Sequence, residues 1–343
     1  MSPTRAEIPA VDALLEAGEL AGGRRSFPRV GATRPGDQPV PEALRPQRAR
    51  RVAKSRIEIV RAPGWERWPW LVHGFSTRTG GVTRAYRPGQ RAGELNLGFT
   101  SSDERESVLE NRRRFLAALG VSLSMRLVTL KQIHSSSVLR AEGATSGEDA
   151  GPCKGDGLMT DEPGLLLAIQ TADCIPVLVA DVKKRAVAAF HAGWRGTVKR
   201  IVENGVGRMR VVFGSRPEDL VAAIGPGIGC CCYAVGEEVR SEFTSQFAYA
   251  QELFFEISDS DPVREKYPML FLTARAPGHS HLGPSLHLDL TEANRRQLLD
   301  AGLRAEAITA IGDCTRCQNN RYFSYRAEQG FTGRMLSVVG VRR

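Results

Sequence analysis

Short apolar runs bounded by glycine, proline or aspartate dominate the chain from Arg56 onward. Runs of this length that are rich in β-branched residues are typical of β-strands. They predict strands with the sequences IEIV, LVHGFST, LVTL, SVLRA, LLLAIQ, IPVLVAD, AVAAFH, LVAAIG, ITAIG and MLSVVGV. The strands do not alternate regularly with helices along the chain, and this order favours an α+β fold over a doubly wound parallel sheet.

Helices are predicted where capping residues flank longer segments with helical spacing of apolar side chains. The predicted helices run from Asp103 to Leu119, from Thr197 to Val212, from Glu237 to about Phe254 and from Thr291 to Ala301. Gly120 and Gly302 follow two of them, as glycine often does after a helix. The chain therefore combines a β-rich framework with a small number of helices.

The first 55 residues have a different composition from the rest. They contain seven of the nineteen prolines and one short helix candidate, VDALLEAGEL. Such a segment buries too little apolar surface to offset the entropy lost when it is ordered. We predict a disordered basic, proline-rich extension at residues 1–55 and a single catalytic domain at residues 56–343.

The net charge of +9 raises the question of a nucleic-acid partner. Residues 1–55 hold ten Lys and Arg against six Asp and Glu, so almost half of the excess charge lies in the extension. A charge run of this kind is more often a solvated segment than a binding surface, and nucleic acid is not the expected partner. No apolar run approaches the ~20 residues that span a bilayer, and the N-terminus lacks the apolar core of a secretory signal. We expect a cytoplasmic protein without a membrane partner.

Removing the extension should leave the folded domain intact. A truncated chain that begins at Arg56 should keep its melting temperature within experimental error, because the removed segment has little to pack. Thermal denaturation of the full and truncated chains measures this directly. A large loss of stability would show that the extension docks on the domain. A truncation that abolished nucleic-acid binding but kept turnover would assign any such binding to the extension.

The chain contains seven cysteines, which are expected to be unpaired thiols in a reducing compartment. The Cys314-x-x-Cys317 pair has a spacing that structural zinc sites use, but no second pair follows at the spacing of a zinc ribbon. The triplet from Cys230 to Cys232 could supply one in space. We interpret the pair as buried thiols near a strand end, and the sequence does not decide whether these cysteines bind a second metal.

Three separated segments each offer one side chain suited to binding a metal. His134 ends LKQIH, Cys174 lies in IQTADCIPVLVAD, and His191 lies in AVAAFHAGWRG. Two imidazoles and one thiolate leave a coordination position open, and this arrangement is what zinc uses in catalysis. A single histidine or cysteine beside a strand is more often a packing residue, so the hypothesis depends on the three converging.

The same segments resemble a known family. LKQIH, DGLMTDEPGLLLAIQTADCIPVLVAD, FHAGWRGTVKRIVENGV and IGPGIGCCCYAVGEEV, with HGFSTRTGGVT, ELNLG and CTRCQNNRYFSYRAEQGFTGR, are similar to the multicopper-polyphenol-oxidase-like laccase-domain family. This family is also called the purine nucleoside phosphorylase or peptidoglycan editing factor family. The resemblance extends from about His73 to Arg334 and implies mixed β-sheets packed between helical layers. Cys is common in the family where Gly227 stands, Pro where Cys230 stands and Glu where Ala234 stands.

The resemblance implies that His134, Cys174 and His191 are zinc ligands, with copper as the alternative metal. It implies phosphorolysis of purine nucleosides, with adenosine deamination as a second activity, so the expected partners are purine nucleosides and phosphate. Arg195 follows His191 at the start of a predicted helix, where a guanidinium and free N–H groups suit an anion. It is expected to act in catalysis and to bind phosphate, and it could equally cap its own loop. On family grounds Arg78 and Asn96 are expected to contact substrate at the rim of the cleft. We expect a monomer or a homodimer.

Two other activities fit the same residues. Cys174 with His191 or His134 as its base would make a cysteine hydrolase or amidase acting on peptidoglycan precursors. Copper-dependent oxidation of polyphenols fits less well, because multicopper sites need many imidazoles. The chain has six histidines, and its one H-x-H pair is His279 and His281.

Overall fold

The structure is a computed structural model, and it describes residues 56–87, 89, 92–121, 125–143, 153–257 and 285–343. The predicted extension at residues 1–55 and the His279–His281 pair lie outside the described residues. Among the residues that are described, no helix is both long enough and apolar enough to cross a membrane.

The β-strands are short, and most lie where the apolar runs predict them. In chain order they are β1 Ile59–Val60, β2 Leu71–Ser76, β3 Thr79–Gly81, β4 Gly93–Glu94, β5 Arg126–Val128, β6 Val138–Arg140, β7 Gly157–Thr160, β8 Leu165–Thr171, β9 Ile175–Asp181, β10 Ala186–Ala192, β11 Leu220–Ile224, β12 Phe254–Ile257, β13 Ser285–Leu288, β14 Ile308–Ala310 and β15 Met335–Val341. All ten predicted strands are present. The apolar pattern did not predict β3, β4, β7, β12 and β13. Of these, β7 has only four residues, and the first of them is Gly157.

Among the described residues the structure has five α-helices where four are predicted, because one predicted helix is divided, and not all bounds agree. They are α1 Arg105–Ala118, α2 Trp194–Val198, α3 Ile201–Phe213, α4 Glu237–Gln246 and α5 Leu290–Asp300, with 3-10 turns at Trp65–Arg67, Pro217–Asp219, Ala250–Leu253 and Ala305–Ala307. The helix predicted from Glu237 to about Phe254 is wrong at its end. After Gln246 the chain turns, and Phe254 begins a strand that pairs with Leu288.

The helix predicted to begin at Thr197 is two helices in the structure. Arg200 adopts a left-handed conformation, with φ of 58°, between α2 and α3. This residue interrupts the helical path, because a left-handed residue cannot continue a right-handed helix. α2 begins at Trp194, three residues after His191, so Arg195 lies in the first turn of this short helix.

Two mixed sheets form the centre of the fold. One has the strand order β1-β2-β15-β8-β5 and the other has the order β14-β11-β9-β10-β7-β6. Most neighbours are antiparallel, whereas the β5–β8, β6–β7 and β11–β14 pairs are parallel. Side chains from both sheets, such as Leu167 and Leu178, share one buried apolar cluster, so the sheets pack face to face.

Helices cover the outer face of each sheet. Phe115 of α1 packs against Leu166 and Val338 of the five-stranded sheet. On the other side, Val206 of α3 shares a cluster with Phe190 of β10. The predicted arrangement of mixed β-sheets between helical layers is therefore confirmed, because each sheet buries one face on the other sheet and one face on helices.

Candidate metal centre

Two connections and the end of one strand bring His134, Cys174 and His191 together. His134 lies between β5 and β6, Cys174 lies between β8 and β9, and His191 is the sixth residue of β10. Their ligand atoms all lie within 4.8 Å of one another. The structure thus brings together the three side chains that the sequence predicts as ligands.

Strand alternation explains why His191 points into this site. Val187 and Ala189 of β10 face the other sheet, whereas Ala188 and Phe190 face the helices. Because side chains alternate along a strand, His191 also falls on the side that faces the other sheet. It lies opposite Pro176 in the neighbouring strand, two residues beyond Cys174.

Asp156, just before β7, connects two of the predicted ligands. Its fully buried carboxylate accepts hydrogen bonds from the backbone N–H of His134 at 2.9 Å and of Ser135 at 2.6 Å. A carboxylate can only accept, so the Nδ1–H of His191 donates to Asp156 Oδ1 at 2.9 Å. This contact fixes the tautomer of His191 and leaves its Nε2 atom free to bind a metal.

The electrostatics of the site favour an ionised Cys174. Burial raises the pKa of the Cys174 thiol, but the charge of His191 and hydrogen bonds from His134 and His191 outweigh it and lower this pKa to about 6. Burial lowers the pKa of His191, but the Cys174 thiolate and Asp156 outweigh it and raise this pKa to about 9. The pair is therefore a thiolate and an imidazolium at neutral pH without a metal, and the thiolate is the form that binds metals.

Asp156 is held in its ionised form by the same contacts. Burial alone would raise the pKa of the Asp156 carboxyl, but hydrogen bonds from His191 and from the N–H and hydroxyl of Ser135 hold it well below its usual range. The charge on Asp156 therefore persists across the pH range in which His191 titrates. A buried carboxylate with this many donors is a fixed support for the loop that carries His134.

Two residues of the site adopt backbone conformations that L-residues rarely take. His134 has φ of 57° and Asp173 has φ of 90°. Such conformations cost on the order of 1–3 kcal/mol and persist only where surrounding contacts hold them. The hydrogen bond from the His134 N–H to Asp156 holds the conformation of His134. The Asp173 carboxylate is held by hydrogen bonds that it accepts from Thr315 Oγ1 and the Arg326 N–H, both at 2.6 Å.

Gly193 allows the protein backbone to approach the ligands closely. A Cβ atom at this position would lie 3.0 Å from Cys174 Sγ and 3.1 Å from His134 Cδ2. Both distances are shorter than ordinary contacts, and both neighbours are held by the site. A glycine stands at position 193 because a larger side chain would overlap Cys174 and His134.

The donor set fits a transition metal, and zinc in particular. Two imidazole nitrogens and a thiolate are borderline-to-soft ligands of the kind that bind zinc in open catalytic sites. The site opens to solvent on the side of His134, which is exposed, whereas Cys174 is half-buried and His191 is buried. A small molecule can therefore reach the ligands from one side.

Arg195 lies in the first turn of α2, four residues after His191 and two after Gly193. Its guanidinium is exposed and stacks over the ring of Trp194 at 4.4 Å. Tyr233 lies in the loop after β11, and the Arg326 guanidinium lies 5.3 Å from the centroid of its ring. Ile228 of the same loop donates its N–H to the carbonyl of Asp173, the residue before Cys174, at 2.8 Å. Burial raises the pKa of Tyr233, and the charge of Cys174 raises it further, so the phenol stays protonated at neutral pH.

Arg78 and Asn96 lie inside the protein in this structure. The Arg78 guanidinium is 2% exposed, donates to Glu94, and also pairs with Glu328 at 3.0 Å. Asn96 is fully buried, and its side-chain oxygen accepts from the Arg334 N–H at 2.8 Å. Both side chains are occupied by protein partners rather than placed at a rim. Their assignment as substrate contacts stays a prediction.

Sequence reasoning missed Asp156, Tyr233 and Arg326 as parts of the site. Asp156 stands in KGDGLMT, where its position between two glycines and directly before an apolar strand was a usable signal. Tyr233 and Arg326 come from two distant segments that resemble the family, IGPGIGCCCYAVGEEV and CTRCQNNRYFSYRAEQGFTGR, and that resemblance was a usable signal. Only the fold brings those two residues near Cys174.

The sequence of this chain matches one family model and several individual proteins. Residues 72–342 match a family model described as multi-copper polyphenol oxidoreductase laccase. The chain is 38% identical over 291 residues to a purine nucleoside phosphorylase of Deinococcus radiodurans. The matched region covers 84% of this chain and 94% of that protein. It is 32% identical over 274 residues to adenosine deaminase RL5 of an unknown prokaryotic organism, covering 78% and 93% of the two chains.

A solved structure shows the same fold. The crystal structure of the hypothetical protein YfiH of Bacillus licheniformis matches with a TM-score of 0.68 and 30% sequence identity. The match covers 85% of this chain and 98% of that one. The two-sheet architecture with outer helices is therefore shared with an experimentally determined protein.

Proposed function

The chain belongs to the multi-copper polyphenol oxidoreductase laccase family, and from this we propose that it is a zinc-dependent purine nucleoside phosphorylase. It would convert adenosine or inosine and phosphate into the free base and ribose 1-phosphate. The observation that carries the proposal is the convergence of His134, Cys174 and His191 beside an exposed arginine. The name of the Deinococcus radiodurans relative supports the same reaction.

The three ligands and their support prepare the site for a metal. A zinc ion held there would supply Lewis acidity at an open coordination position. The Nδ1–H of His191 donates to Asp156, which leaves Nε2 of His191 as the nitrogen that would bind the metal. Asp156 also fixes the loop of His134, because it accepts the N–H of that residue.

Arg195 is the proposed phosphate-binding residue. Its guanidinium is exposed and is stacked on Trp194, which limits the orientations it can adopt. A guanidinium presents two parallel N–H groups that match two phosphate oxygens, and its charge favours the anion. Phosphate held beside the ligands would attack C1′ of the ribose, and the bond from C1′ to the base nitrogen would break.

Tyr233 is the proposed hydrogen-bond donor to the leaving base. Cleavage of the N-glycosidic bond places negative charge on the base, which a nearby O–H group stabilises. The raised pKa of Tyr233 keeps its hydroxyl protonated at neutral pH, with burial as the largest cause. Its aromatic ring also offers a surface on which a purine can stack.

The reaction itself is tested with purified protein and nucleosides. Inosine and adenosine should be consumed only when phosphate is present, and ribose 1-phosphate should form in equal amount with the base. Metal analysis of the same preparation should find zinc. Consumption of nucleoside without phosphate, or release of free ribose, would replace phosphorolysis by hydrolysis.

The role of Arg195 gives a separate prediction. Arg195→Ala should lower kcat/KM for phosphate by about 10- to 100-fold, because a charged hydrogen bond contributes roughly 1.5–3 kcal/mol. Zinc content should stay normal, since Arg195 is not a ligand. Arg195→Lys should restore activity only partly, because an ammonium keeps the charge but loses the paired N–H groups. The measurement is initial rate across a range of phosphate concentrations.

Arg210→Ala is the matched control, since Arg210 is an exposed arginine on α3 and its removal changes the net charge equally. It should leave the phosphate dependence unchanged. Wild-type phosphate dependence in Arg195→Ala would remove Arg195 from the phosphate site. The residue would then be a structural partner of Trp194.

Adenosine deamination is proposed as a second activity of the same site. The adenosine deaminase among the relatives supports it. Deamination replaces the exocyclic amine of the purine by oxygen from water and releases ammonia. Inosine formation from adenosine without phosphate would detect it, and the activity should be lost together with phosphorolysis when a metal ligand is removed.

The geometry also supports a cysteine hydrolase. Cys174, His191 and Asp156 stand in the order of nucleophile, base and orienting carboxylate, and the pKa of Cys174 lowered to about 6 would give a reactive thiolate. Metal content distinguishes this alternative. A protein that holds no metal, whose Cys174 is modified by iodoacetamide with loss of amidase activity, would be a hydrolase.

A further inference from the structure

A second group of cysteines lies at the ends of two neighbouring strands. β11 and β14 are parallel neighbours, so the loops that follow them leave the same edge of the sheet. The first loop carries Cys231 and Cys232, and the second carries Cys314 and Cys317. A bridge between Gly227 and Cys314 joins the two loops. The four sulfur atoms all lie within 4.8 Å of one another.

The spacing of these sulfurs fits one metal ion. Sγ of Cys317 lies 3.6 Å from that of Cys231 and 3.3 Å from that of Cys232. Tetrahedral zinc with Zn–S bonds of about 2.3 Å places its sulfurs about 3.8 Å apart. A disulfide requires S–S of about 2.0 Å, so the cysteines are not paired here. An iron–sulfur cluster needs a wider cage, because its own sulfide and iron atoms separate the cysteines.

Ordinary packing does not explain why the four side chains converge. Cys232 and Cys314 are buried, but Cys231 and Cys317 are exposed. The sequence interpretation of buried thiols is therefore wrong for Cys317. Two exposed thiols gain little by pointing at buried ones. The backbone N–H of Gly229 donates to Cys314 Sγ at 3.2 Å, a contact that stabilises the thiolate over the thiol.

We propose that Cys231, Cys232, Cys314 and Cys317 bind one zinc ion as four thiolates. Each thiol loses its proton to solvent as its Zn–S bond forms, so binding releases four protons in total when all four start as thiols. A closed set of four thiolates leaves no position for substrate, which makes this a structural site and distinguishes it from the open set of two histidines and one cysteine. The assignment does not depend on the nucleoside chemistry.

The second site supports the loop that carries Cys174. Thr315 lies between the two cysteines of the second loop and donates to Asp173 Oδ1. Ile228, three residues before Cys231, donates its N–H to the Asp173 carbonyl at 2.8 Å. Asp173 directly precedes Cys174 and is held at φ of 90°. A metal that fixes both loops would therefore keep Asp173 in this costly conformation and so position Cys174.

The test is zinc stoichiometry in a set of variants purified under reducing conditions. Wild type should hold about two zinc ions per chain, whereas Cys314→Ser with Cys317→Ser should hold about one. Cys174→Ala should also hold about one, which remains at the four-cysteine site. The double-serine variant should melt at a lower temperature than wild type, because a bound metal stabilises the folded state.

Cys230→Ser is the matched control, since Cys230 belongs to the same triplet but not to the cluster. It should keep both zinc ions. Cobalt substitution in Cys174→Ala gives a second readout that survives poor folding of the serine variants. The bound Co²⁺ should show the sulfur-to-metal charge-transfer absorption of four thiolate ligands.

Three results would overturn the proposal. Wild type could hold one zinc ion that is lost in Cys174→Ala. Cys231 and Cys317 could react with iodoacetamide in the native zinc-loaded protein as fast as in the denatured one. Mass spectrometry could show a disulfide between Cys232 and Cys317 in protein kept under reductant. Each outcome would leave the cluster as thiols or a disulfide without a metal.

Discussion

Cys174→Ala should abolish metal binding at the proposed site of His134, Cys174 and His191 and lower the proposed nucleoside turnover by at least about 10³-fold, since the lost Lewis acidity corresponds to several kcal/mol of barrier. Two imidazoles alone hold zinc weakly, and the alanine removes the thiolate beside His191, which then keeps only Asp156 as a negative partner. The fold should persist, because Cys174 is half-buried and lies in a loop. A typical substitution of this kind costs about 1 kcal/mol.

The measurement pairs zinc content and turnover with thermal denaturation. The melting temperature of Cys174→Ala should fall only by what the loss of the proposed metal and a substitution cost of about 1 kcal/mol explain, because loss of a bound metal lowers stability by itself. Cys153→Ala is the control, since Cys153 is exposed and lies outside both clusters. It should keep metal and activity. Full activity in Cys174→Ala would exclude this metal site from catalysis.

Asp156→Asn should lower metal affinity or turnover by about 10- to 100-fold, the range seen when the carboxylate behind a histidine ligand is removed. The amide keeps the shape of the carboxylate but has one acceptor oxygen instead of two. It cannot satisfy the His134 and Ser135 N–H groups and His191 together. Each donor left unsatisfied costs about 1–3 kcal/mol, so stability should fall as well.

Asp181→Asn separates the loss of positioning from a general loss of stability. Asp181 is also a fully buried carboxylate that accepts backbone N–H groups, from Lys183 and Lys184. It stands at the far end of β9, about 20 Å along the strand from Cys174. The Asp181→Asn substitution should lower the stability of the fold but leave the zinc affinity unchanged. Equal effects of the two variants on zinc affinity would show that Asp156 acts only through the fold.

The ligands could be predicted from sequence because each stands in a strongly patterned context. A strand-forming segment precedes His191 and another follows Cys174. The resemblance to a family added His134 as the third ligand of the same site. The same patterns predict most strands, since short β-branched runs have few alternative structures. Short strands beside glycine, such as β7, were missed because their apolar content is too small to produce a pattern.

The sequence by itself determined the mixed β framework, the three candidate ligands and the position of Arg195 just after His191. Only the tertiary structure decided which polar residues support them. Asp156 reaches His191 across 35 positions, and the second loop of the four-cysteine cluster lies 85 positions from Cys232. Contacts of this kind depend on strand order and register, which local patterns do not encode. The same physical reason applies to Arg78, whose partner Glu328 comes from a distant part of the chain that folding brings beside it.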